Sequence, residues 1–543
     1  MKLFHLVTVV LLVFTLSACG GGNSASAIAP APVPICTASA ATPVTISGTI
    51  TYDFVPNDPA TGGLNYAATV AKPARGVDVQ AIDGNNSAVC MSSTNASGLY
   101  QLQVPANTTV AVRALAKMSK TGAPSWTFRV IDNTSGGAQW SMQGPASSSG
   151  ATAQTRNLHA ASGWGGAGYT GNRTAAPFAI LDDVYDGVTL MLSVAPNTQF
   201  TPLNLNWSPQ NSKLTPFNLA TGSIGTTFFN GSGIYILGDA DVDTDEFDKH
   251  VIIHEFGHYI ESNFSRSDSI GGSHAGGEHL DLRLAFGEGF GNAFSAMASN
   301  DPVYSDSKGV NQALGSPFDV SVASWTNPGW FSEGSIHHIL YQTYTSPSLG
   351  FKSIFDVLSA KEKNTPALTS IFSFITALKA NNPGQIPAID TLVNAQGIDS
   401  NNMDAYGTNE THNGGLTVGA LLIYTIIAPG GTVSSLCTTA TYGQNNKLGN
   451  NRFLRLQVAA AGTRTVTVTG DSFSYPLIDI YSIGSDVAHN YNTGTTKSIN
   501  YNFAQGDYII EITDASLTLP DFAERYGLVT RTGQSCLTVN VTN

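Results

Sequence analysis

Two stretches of the chain alternate apolar and polar residues with a period of two, which is typical of β-strands that bury one face. Glycine, proline and asparagine separate these short runs and mark turns between them. In the first stretch the runs are Val44–Tyr52, Val77–Ala81, Gly98–Val104 and Val110–Ala114. The pattern predicts two all-β sandwich domains, at residues 44–145 and 431–543.

Residues 150–430 have longer runs of apolar residues at helical spacing, and glycine-rich loops separate these runs. Nine of the 11 histidines fall in this segment, and no cysteine does. At roughly 150 residues per domain, a chain of 543 residues holds about three or four domains. We therefore expect a multidomain α+β protein whose chemistry lies in the central domain, between the two all-β domains.

The first residues of the chain predict export. Lys2 precedes an apolar run that ends at Leu16 and is shorter than the ~20 residues of a membrane span, so residues 1–18 are interpreted as a signal peptide. The stretch Leu16-Ser17-Ala18-Cys19 resembles the bacterial lipobox, which implies cleavage before Cys19 and lipidation of its thiol. Residues 19–43 are then expected to form a flexible tether. The resemblance, with Gly20 after the cysteine, implies an outer-membrane lipoprotein. The alternative to a lipobox is an ordinary secretory signal with an incidental cysteine.

Four further cysteines fall in two pairs that are separated by a long gap in the sequence. An exported chain can hold disulfides, so we pair the cysteines locally, Cys36 with Cys90 and Cys437 with Cys536. The alternative is four free thiols.

Net charge excludes one class of partner. The chain has 25 lysines and arginines against 38 aspartates and glutamates, which gives a formal net charge of −13. No surplus of positive charge is available to neutralise phosphate groups or an anionic membrane surface. We therefore expect no nucleic-acid partner, and a membrane contact only through the lipid on Cys19.

The motif that carries chemistry is His254-Glu255-Phe256-Gly257-His258, an HExxH sequence. Histidines four residues apart lie on one face of a helix, where both imidazoles can reach the same zinc ion. Asp243 and Glu246 predict a capping box at the start of this helix. The alternative is a buried helix with two hydrogen-bonded histidines. Apolar residues at helical spacing surround the motif: Phe247, Val251, Ile252, Ile253, Phe256, Tyr259 and Ile260.

A catalytic zinc site needs a third protein ligand. Phe264 stands six residues after the second histidine, where a metzincin has its third histidine. A second helical pattern, Ala285–Ser295, offers Glu288 instead. His274 and His279, in the glycine-rich insert between the two patterns, are competing ligand candidates.

The HExxH helix followed by this glutamate resembles the gluzincins, the thermolysin-like zinc metallopeptidases, over about residues 234–344. The resemblance implies a zincin-type catalytic domain with one zinc ion per chain, bound by His254, His258 and Glu288, and Glu255 as the general base. Asn292 stands where the family usually has an aspartate that supports a ligand histidine. The strand at Gly233–Gly238 is implied to be a sheet edge that binds an extended polypeptide substrate.

The resemblance leaves the donor that stabilises the oxyanion of the reaction unassigned. The flanking domains are similar to carboxypeptidase-regulatory-like domains and to the β-sandwich modules that follow secreted bacterial peptidases. The candidate oxyanion donors are His337, His338, Tyr341, Tyr344 and His412.

A second metal ion is considered just before the HExxH helix, where aspartates alternate along the chain. Calcium near Asp239, Asp241 and Asp243 is one interpretation, and a solvated acidic turn is the other. The spacing does not match an EF-hand, since Thr244 and His250 stand at its sixth and twelfth positions.

These observations together predict a secreted, membrane-anchored zinc endopeptidase that hydrolyses polypeptides. Two alternatives stay open. One is a cell-surface binding protein or adhesin with an inactive zincin domain, and the other is a zinc amidase that acts on cell-wall peptides.

Overall fold

The computed structural model describes residues 35–36, 43–323, 326–527 and 530–543. The predicted signal peptide, Cys19 and most of the tether lie outside these residues. None of the described helices combines the length and the apolar character needed to span a membrane. The described chain is a multidomain protein of mixed α and β structure.

The N-terminal strands form two sheets whose apolar faces share one core. They include the runs predicted from the sequence. The strands are β1 (Ile35–Cys36), β2 (Pro43–Phe54), β3 (Val70–Pro73), β4 (Val77–Ile82), β5 (Ala88–Ser93), β6 (Leu99–Pro105), β7 (Thr109–Lys120), β8 (Trp126–Asp132), β9 (Ala138–Gln139), β10 (Ser141–Gln143), β11 (Ser147–Ser148), β12 (Gln154–Thr155) and β13 (Leu158–Ala160).

The central region is built from helices with short strands between them. Its strands are β14 (Leu203–Trp207), β15 (Phe228–Phe229), β16 (Gly233–Ile236), β17 (Gly238–Asp239), β18 (Asp243–Thr244), β19 (Val303–Tyr304), β20 (Ser307–Lys308), β21 (Leu314–Gly315) and β22 (Phe318–Asp319). Its helices are α1 (Ala176–Val194), α2 (Lys249–Phe264), α3 (Leu282–Ser299), α4 (Glu333–Thr345), α5 (Gly350–Asp356), α6 (Ile371–Asn381) and α7 (Ile386–Asn394). Helix α3 packs between α2 and α4, and α1 packs against both α2 and α3.

One sheet crosses the boundary predicted near residues 145–150. Strand β14 pairs in parallel with β8 on one side and with β16 on the other, so the sheet order is β1-β5-β4-β7-β8-β14-β16-β15. Helix α1 lies against β7 and β8, and its Asp182 accepts a hydrogen bond from the Tyr52 hydroxyl of β2 at 2.7 Å. The N-terminal strands therefore support the helices of the central region directly.

The start of α2 differs from the prediction. Asp243 lies in β18, which forms a hairpin with β17, and α2 begins only at Lys249. Glu246 is engaged elsewhere, since Arg173 donates to its Oε1 from Nη1 at 2.7 Å. The predicted capping box is wrong because this carboxylate is held in a buried ion pair.

The C-terminal strands form a sandwich of two sheets, ordered β23-β25-β30-β27-β28 and β24-β31-β26-β29, around a separate apolar core. Its first strand begins at Tyr424, slightly before the predicted boundary. The elements are β23 (Tyr424–Ile427), β24 (Thr432–Thr439), β25 (Asn451–Val458), β26 (Gly462–Thr469), β27 (Pro476–Ser482), β28 (Ser485–Asn490), β29 (Thr496–Phe503), β30 (Gly506–Asp514), α8 (Ala515–Thr518), α9 (Pro520–Arg525) and β31 (Gln534–Val541).

Both predicted disulfides are present, Cys36–Cys90 and Cys437–Cys536, so this prediction is confirmed. In each case the two cysteines stand directly opposite each other on paired strands. Disulfides persist in oxidising compartments, which is typical of an extracellular or periplasmic protein.

A buried charge cluster joins α3 to the C-terminal sandwich. The Arg283 guanidinium donates to both oxygens of Glu511 on β30, at 2.7 and 2.8 Å, and to both oxygens of Asp281, at 2.9 and 3.0 Å. Arg283 is only 2% exposed. The C-terminal unit is therefore fixed against a helix of the central region.

Candidate metal centre

Two glycines let α2 and α3 cross at close range. A Cβ atom on Gly291 of α3 would lie 2.8 Å from Cε1 of His254, and one on Gly257 of α2 would lie 3.3 Å from the Gly291 Cα. The first distance is too short for any larger residue unless the imidazole moves. The crossing therefore depends on these glycines, and it places the HExxH motif against Glu288.

The structure brings His254, His258 and Glu288 together. Nε2 of His254 lies 3.1 Å from Glu288 Oε2 and 3.0 Å from Nε2 of His258, and His258 Nε2 lies 3.6 Å from the same carboxylate oxygen. His254 and Glu288 are each 7% exposed. Because two imidazole nitrogens and one carboxylate oxygen meet at one point, the cluster could hold a metal ion, and this donor set suits zinc.

Asn292 orients one of the histidines. Its side-chain oxygen lies 2.9 Å from Nδ1 of His254, so it accepts the Nδ1–H and leaves the Nε2 lone pair directed at the cluster. Asn292 follows Glu288 by one helical turn, which places both side chains on the face of α3 that meets α2.

Glu255 lies beside the cluster, and the backbone holds it there. The Phe229 N–H of β15 donates to Glu255 Oε2 at 2.7 Å. Burial raises the pKa of Glu255 above its ordinary value, and the neighbouring charges of His254 and His258 act against this shift. A raised pKa favours the uptake of a proton by this carboxylate.

The charges of the cluster are mutually dependent. Burial disfavours an ionised Glu288, but the adjacent imidazoles hold the pKa of this carboxyl well below its usual range. Burial likewise disfavours a charged His258, but the negative charge of Glu288 outweighs the effect of burial and raises the pKa of His258 to about 10. The imidazoles therefore favour the ionised form of Glu288, whose Oε2 is directed at the cluster.

The glycine-rich insert contributes a further imidazole. Nε2 of His274 lies 3.2 Å from Glu288 Oε2, although His274 is not part of the group of three whose ligand atoms are all mutually close. His279 is turned away from the cluster, because its ring stacks on Tyr442 with 3.8 Å between centroids and on Phe331 with 4.7 Å.

The described contacts of the five candidate oxyanion donors lie elsewhere. His337 stacks on Phe318, and His338 Nδ1 lies 3.3 Å from the Val320 carbonyl oxygen. Tyr341 and Tyr344 pack against each other, with 5.9 Å between ring centroids. His412 lines a cavity of about 730 Å³ together with His279 and Tyr442. None of these contacts assigns one of the five to the reaction.

The strand predicted to form the sheet edge is present as β16, but it is an inner strand. Strand β14 flanks it on one side and β15 on the other, with Phe229 opposite Ile234. The edge of this sheet is therefore β15, the strand whose backbone also contacts Glu255. No pattern in the sequence indicates β15, because two phenylalanines are too short a run to show a period.

A second cluster lies before α2 and consists of Asp243, Asp245 and Asp306. Oδ1 of Asp243 and Oδ1 of Asp245 are buried without a hydrogen-bond partner. Lys213 contacts the other oxygen of Asp243 at 2.9 Å. The residues predicted for the calcium site are therefore partly wrong. Asp239 and Asp241 lie outside this group, and the carboxylate of Asp241 accepts a hydrogen bond from the Asn311 N–H.

Burial and the neighbouring charges of Asp243 and Asp306 raise the pKa of Asp245 well above its ordinary value. Three carboxylates that repel one another, two with unpaired oxygens, could hold a cation. No sequence pattern indicated Asp306, which follows α3 in the chain and lies between β19 and β20.

Comparison with known proteins gives only distant likenesses. No protein family matches the chain, and no curated protein matches it. Among solved structures, a precursor of protealysin, a metalloproteinase from Serratia proteamaculans, aligns over 51% of this chain and 89% of its own, with 9% identity and a TM-score of 0.31. The pre-peptidase C-terminal domain of a collagenase from Bacillus anthracis aligns over 22% of this chain and 94% of its own, with 11% identity and a TM-score of 0.17. Both TM-scores are low, so the function is inferred from the geometry of the site.

Proposed function

We propose that the protein is a zinc-dependent endopeptidase of the gluzincin type, with His254, His258 and Glu288 as metal ligands and Glu255 as the general base. The observation that carries the proposal is the convergence of two imidazoles and one buried carboxylate on a single point. Glu255 stands next to this point on the same helix as the histidines. Three protein ligands leave a coordination position for water, which is the arrangement of catalytic zinc sites.

When bound, zinc would supply Lewis acidity to a water molecule and to the substrate carbonyl. Glu255 takes a proton from the water as the water oxygen bonds to the carbonyl carbon. The same carboxyl then gives this proton to the amine nitrogen as the carbon–nitrogen bond breaks. The Phe229 N–H fixes the orientation of the carboxylate, and its raised pKa suits it to hold the proton between the two steps.

A polypeptide substrate is proposed because the sheet ends beside the general base. An extended peptide can add to a sheet edge through backbone hydrogen bonds, which favours β15 as the docking strand. Phe229 lies in this strand and contacts Glu255, so a peptide paired with β15 would run past the catalytic carboxylate.

For localisation, the disulfides support an exported protein. A lipid on Cys19 would anchor the chain to the bacterial envelope, and the residue after it favours the outer membrane. We keep this anchor as a proposal from the sequence.

Calcium is proposed for the cluster of Asp243, Asp245 and Asp306, since calcium prefers oxygen ligands. An ion there would neutralise three clustered carboxylates just before α2. Its role would be structural, because this cluster is distinct from the residues assigned to catalysis.

The two rival functions differ from the proposal in different respects. An adhesin with an inactive domain does not need a general base held by a backbone N–H beside intact ligands. A zinc amidase for cell-wall peptides would use the same centre and differ only in substrate. Direct identification of the cleaved bonds separates these three functions.

The test uses full-length protein purified in detergent and a denatured proteome as substrate, with and without a zinc chelator. New peptide termini are identified by mass spectrometry. We expect many internal cleavages that the chelator abolishes and that Glu255→Gln lacks while it keeps about one zinc per chain. His250→Gln, one turn before His254 on the same helix, is the control and should cleave normally. Cell-wall cleavage without proteome cleavage would favour the amidase, and wild-type activity in Glu255→Gln would exclude the peptidase.

A further inference from the structure

A small cavity lies where the central region meets strand β25 of the C-terminal sandwich. Its volume is about 20 Å³. Its walls include Leu282 at the start of α3, Trp330 just before α4, and Asn451, Arg452 and Phe453 of β25. A cavity of this size has room for one small group.

Arg452 brings a buried positive charge to this cavity, and it is only 5% exposed. Its Nη2 donates to the carbonyl oxygens of Leu421 and Leu422, at 3.3 and 2.9 Å. Its Nε is buried, and no atom of the described residues accepts the Nε–H. Two neutral carbonyl groups therefore hold the guanidinium, and one of its N–H groups is left unsatisfied.

Arg283 shows how a second buried guanidinium of this protein is compensated. Burial acts to lower the pKa of Arg283, but Asp281 and Glu511 outweigh burial and hold this pKa well above its ordinary value. For Arg452 burial acts alone and lowers the pKa to about 10. A buried charge is costly unless a counter-charge and hydrogen bonds compensate it. The described carboxylates do not supply that counter-charge to Arg452.

Asp281 also lines the cavity, but other donors occupy its carboxylate. Oδ1 accepts from the backbone N–H and the Nε–H of Arg283, at 3.0 and 2.9 Å. Oδ2 accepts from Arg283 Nη2 and Asn451 Nδ2, at 3.0 and 2.9 Å. A carboxylate has about four acceptor sites, so these four donors leave none for a water molecule that bridges to Arg452. A buried water typically makes about three hydrogen bonds, which disfavours water as the occupant.

We propose that this cavity binds one small monovalent anion, such as chloride, and that the Arg452 Nε–H donates a hydrogen bond to it. A halide ion accepts hydrogen bonds and donates none, so it satisfies the Nε–H without needing an acceptor in return. It also supplies the missing counter-charge, and the attraction between two opposite charges is stronger in a buried site than in water.

The position of the anion gives it a structural effect. Asp281 caps α3 by accepting the Arg283 N–H, and Leu282 is the first residue of that helix. An anion between this helix start and Arg452 of β25 stabilises the contact of the C-terminal sandwich with the central region. None of the described lining residues is a proposed metal ligand or Glu255, so this inference does not rest on the proposed function.

The first experiment follows thermal unfolding of full-length protein in detergent by calorimetry. Sodium gluconate, whose anion is too large for the cavity, is replaced by about 100 mM sodium chloride at constant ionic strength. The melting temperature of wild type should rise by about 2–5 °C, and that of Arg452→Met should not change. Arg455→Met is the matched control and should keep the rise, because Arg455 lies on the same strand and pairs with Asp507. An equal rise in wild type and Arg452→Met would overturn the proposal.

The second experiment locates the anion and needs only the wild-type protein, so it decides the question even where Arg452→Met does not fold. Crystals are grown in sodium bromide, and bromide is located by its anomalous scattering. We expect a bromide ion in the cavity beside Nε of Arg452. A water molecule there instead of bromide would overturn the proposal. Bromide in the crystal without any effect of chloride on the melting temperature would show binding at crystal concentration only, which would also overturn it.

Discussion

Asn292 gives a quantitative test of the candidate metal centre, because it contacts a proposed ligand and not the proposed ion. In Asn292→Ala the Nδ1–H of His254 loses its acceptor, and the imidazole loses the hydrogen bond that fixes its orientation. His254 is the histidine nearest to both other ligands, so its rotation disturbs the whole cluster.

The expected loss follows from what such supporting contacts contribute. Removing the partner of a ligand histidine typically lowers metal affinity about 10- to 100-fold, which is about 1.4–2.7 kcal/mol. Asn292→Asp should bind zinc at least as tightly as wild type, because a carboxylate accepts the same hydrogen bond and adds a charge that strengthens the ligand.

The assay is a competitive titration of metal-free protein with zinc against a chelator of known affinity. Ser295→Ala is the matched control, since Ser295 lies on the same helix and contacts His250 and the Asn292 carbonyl oxygen, not His254. Equal zinc affinity in Asn292→Ala and wild type would refute the reasoning. An equal loss in Ser295→Ala would show that the effect comes from disturbing α3 as a whole.

Three further predictions concern stability. Arg283→Met should lower the free energy of unfolding by about 3–5 kcal/mol in urea titrations, because it leaves two buried carboxylates without their cation; a change below about 1 kcal/mol would contradict this. Millimolar calcium should raise the melting temperature of wild type but not of Asp306→Asn, as followed by calorimetry, and an equal rise in both would place calcium elsewhere. Burial raises the pKa of Glu362 to about 8, so the folded state retains a proton that the unfolded state releases. Stability should therefore fall as the pH rises from the ordinary pKa of a glutamate towards 8. Glu362→Gln should flatten this pH dependence.

The parts of the fold that follow from local pattern were predictable. Alternation in Val110–Ala114 predicted strand β7, and helical spacing around His254 predicted α2. The sheet that joins β8 to β14 was not predictable, because parallel pairing between distant strands leaves no period in the sequence of either strand. The start of α2 was also predicted wrongly, because Glu246 forms an ion pair with Arg173, which lies far away in the sequence.

The residues of the candidate site likewise include some that were predictable from the sequence and some that were not. The two histidines and Glu255 stand together because one helix carries them at a fixed spacing, and Glu288 follows from a second helix. Phe229 could not be predicted from the sequence, because it acts through its backbone N–H, which any residue except proline would supply at that position in β15.

His274 shows why the central region cannot be considered alone. Its glycine-rich loop has no regular pattern that would fix where the imidazole lies, and Gly271 and Gly272 adopt positive φ angles of 59° and 96°. Such a loop is ordered by what contacts it, and here Asn446 and Lys447 hold its carbonyl groups. Residues far apart in the sequence thus determine one side of the site, so removal of the C-terminal sandwich should impair catalysis even where the three ligands remain.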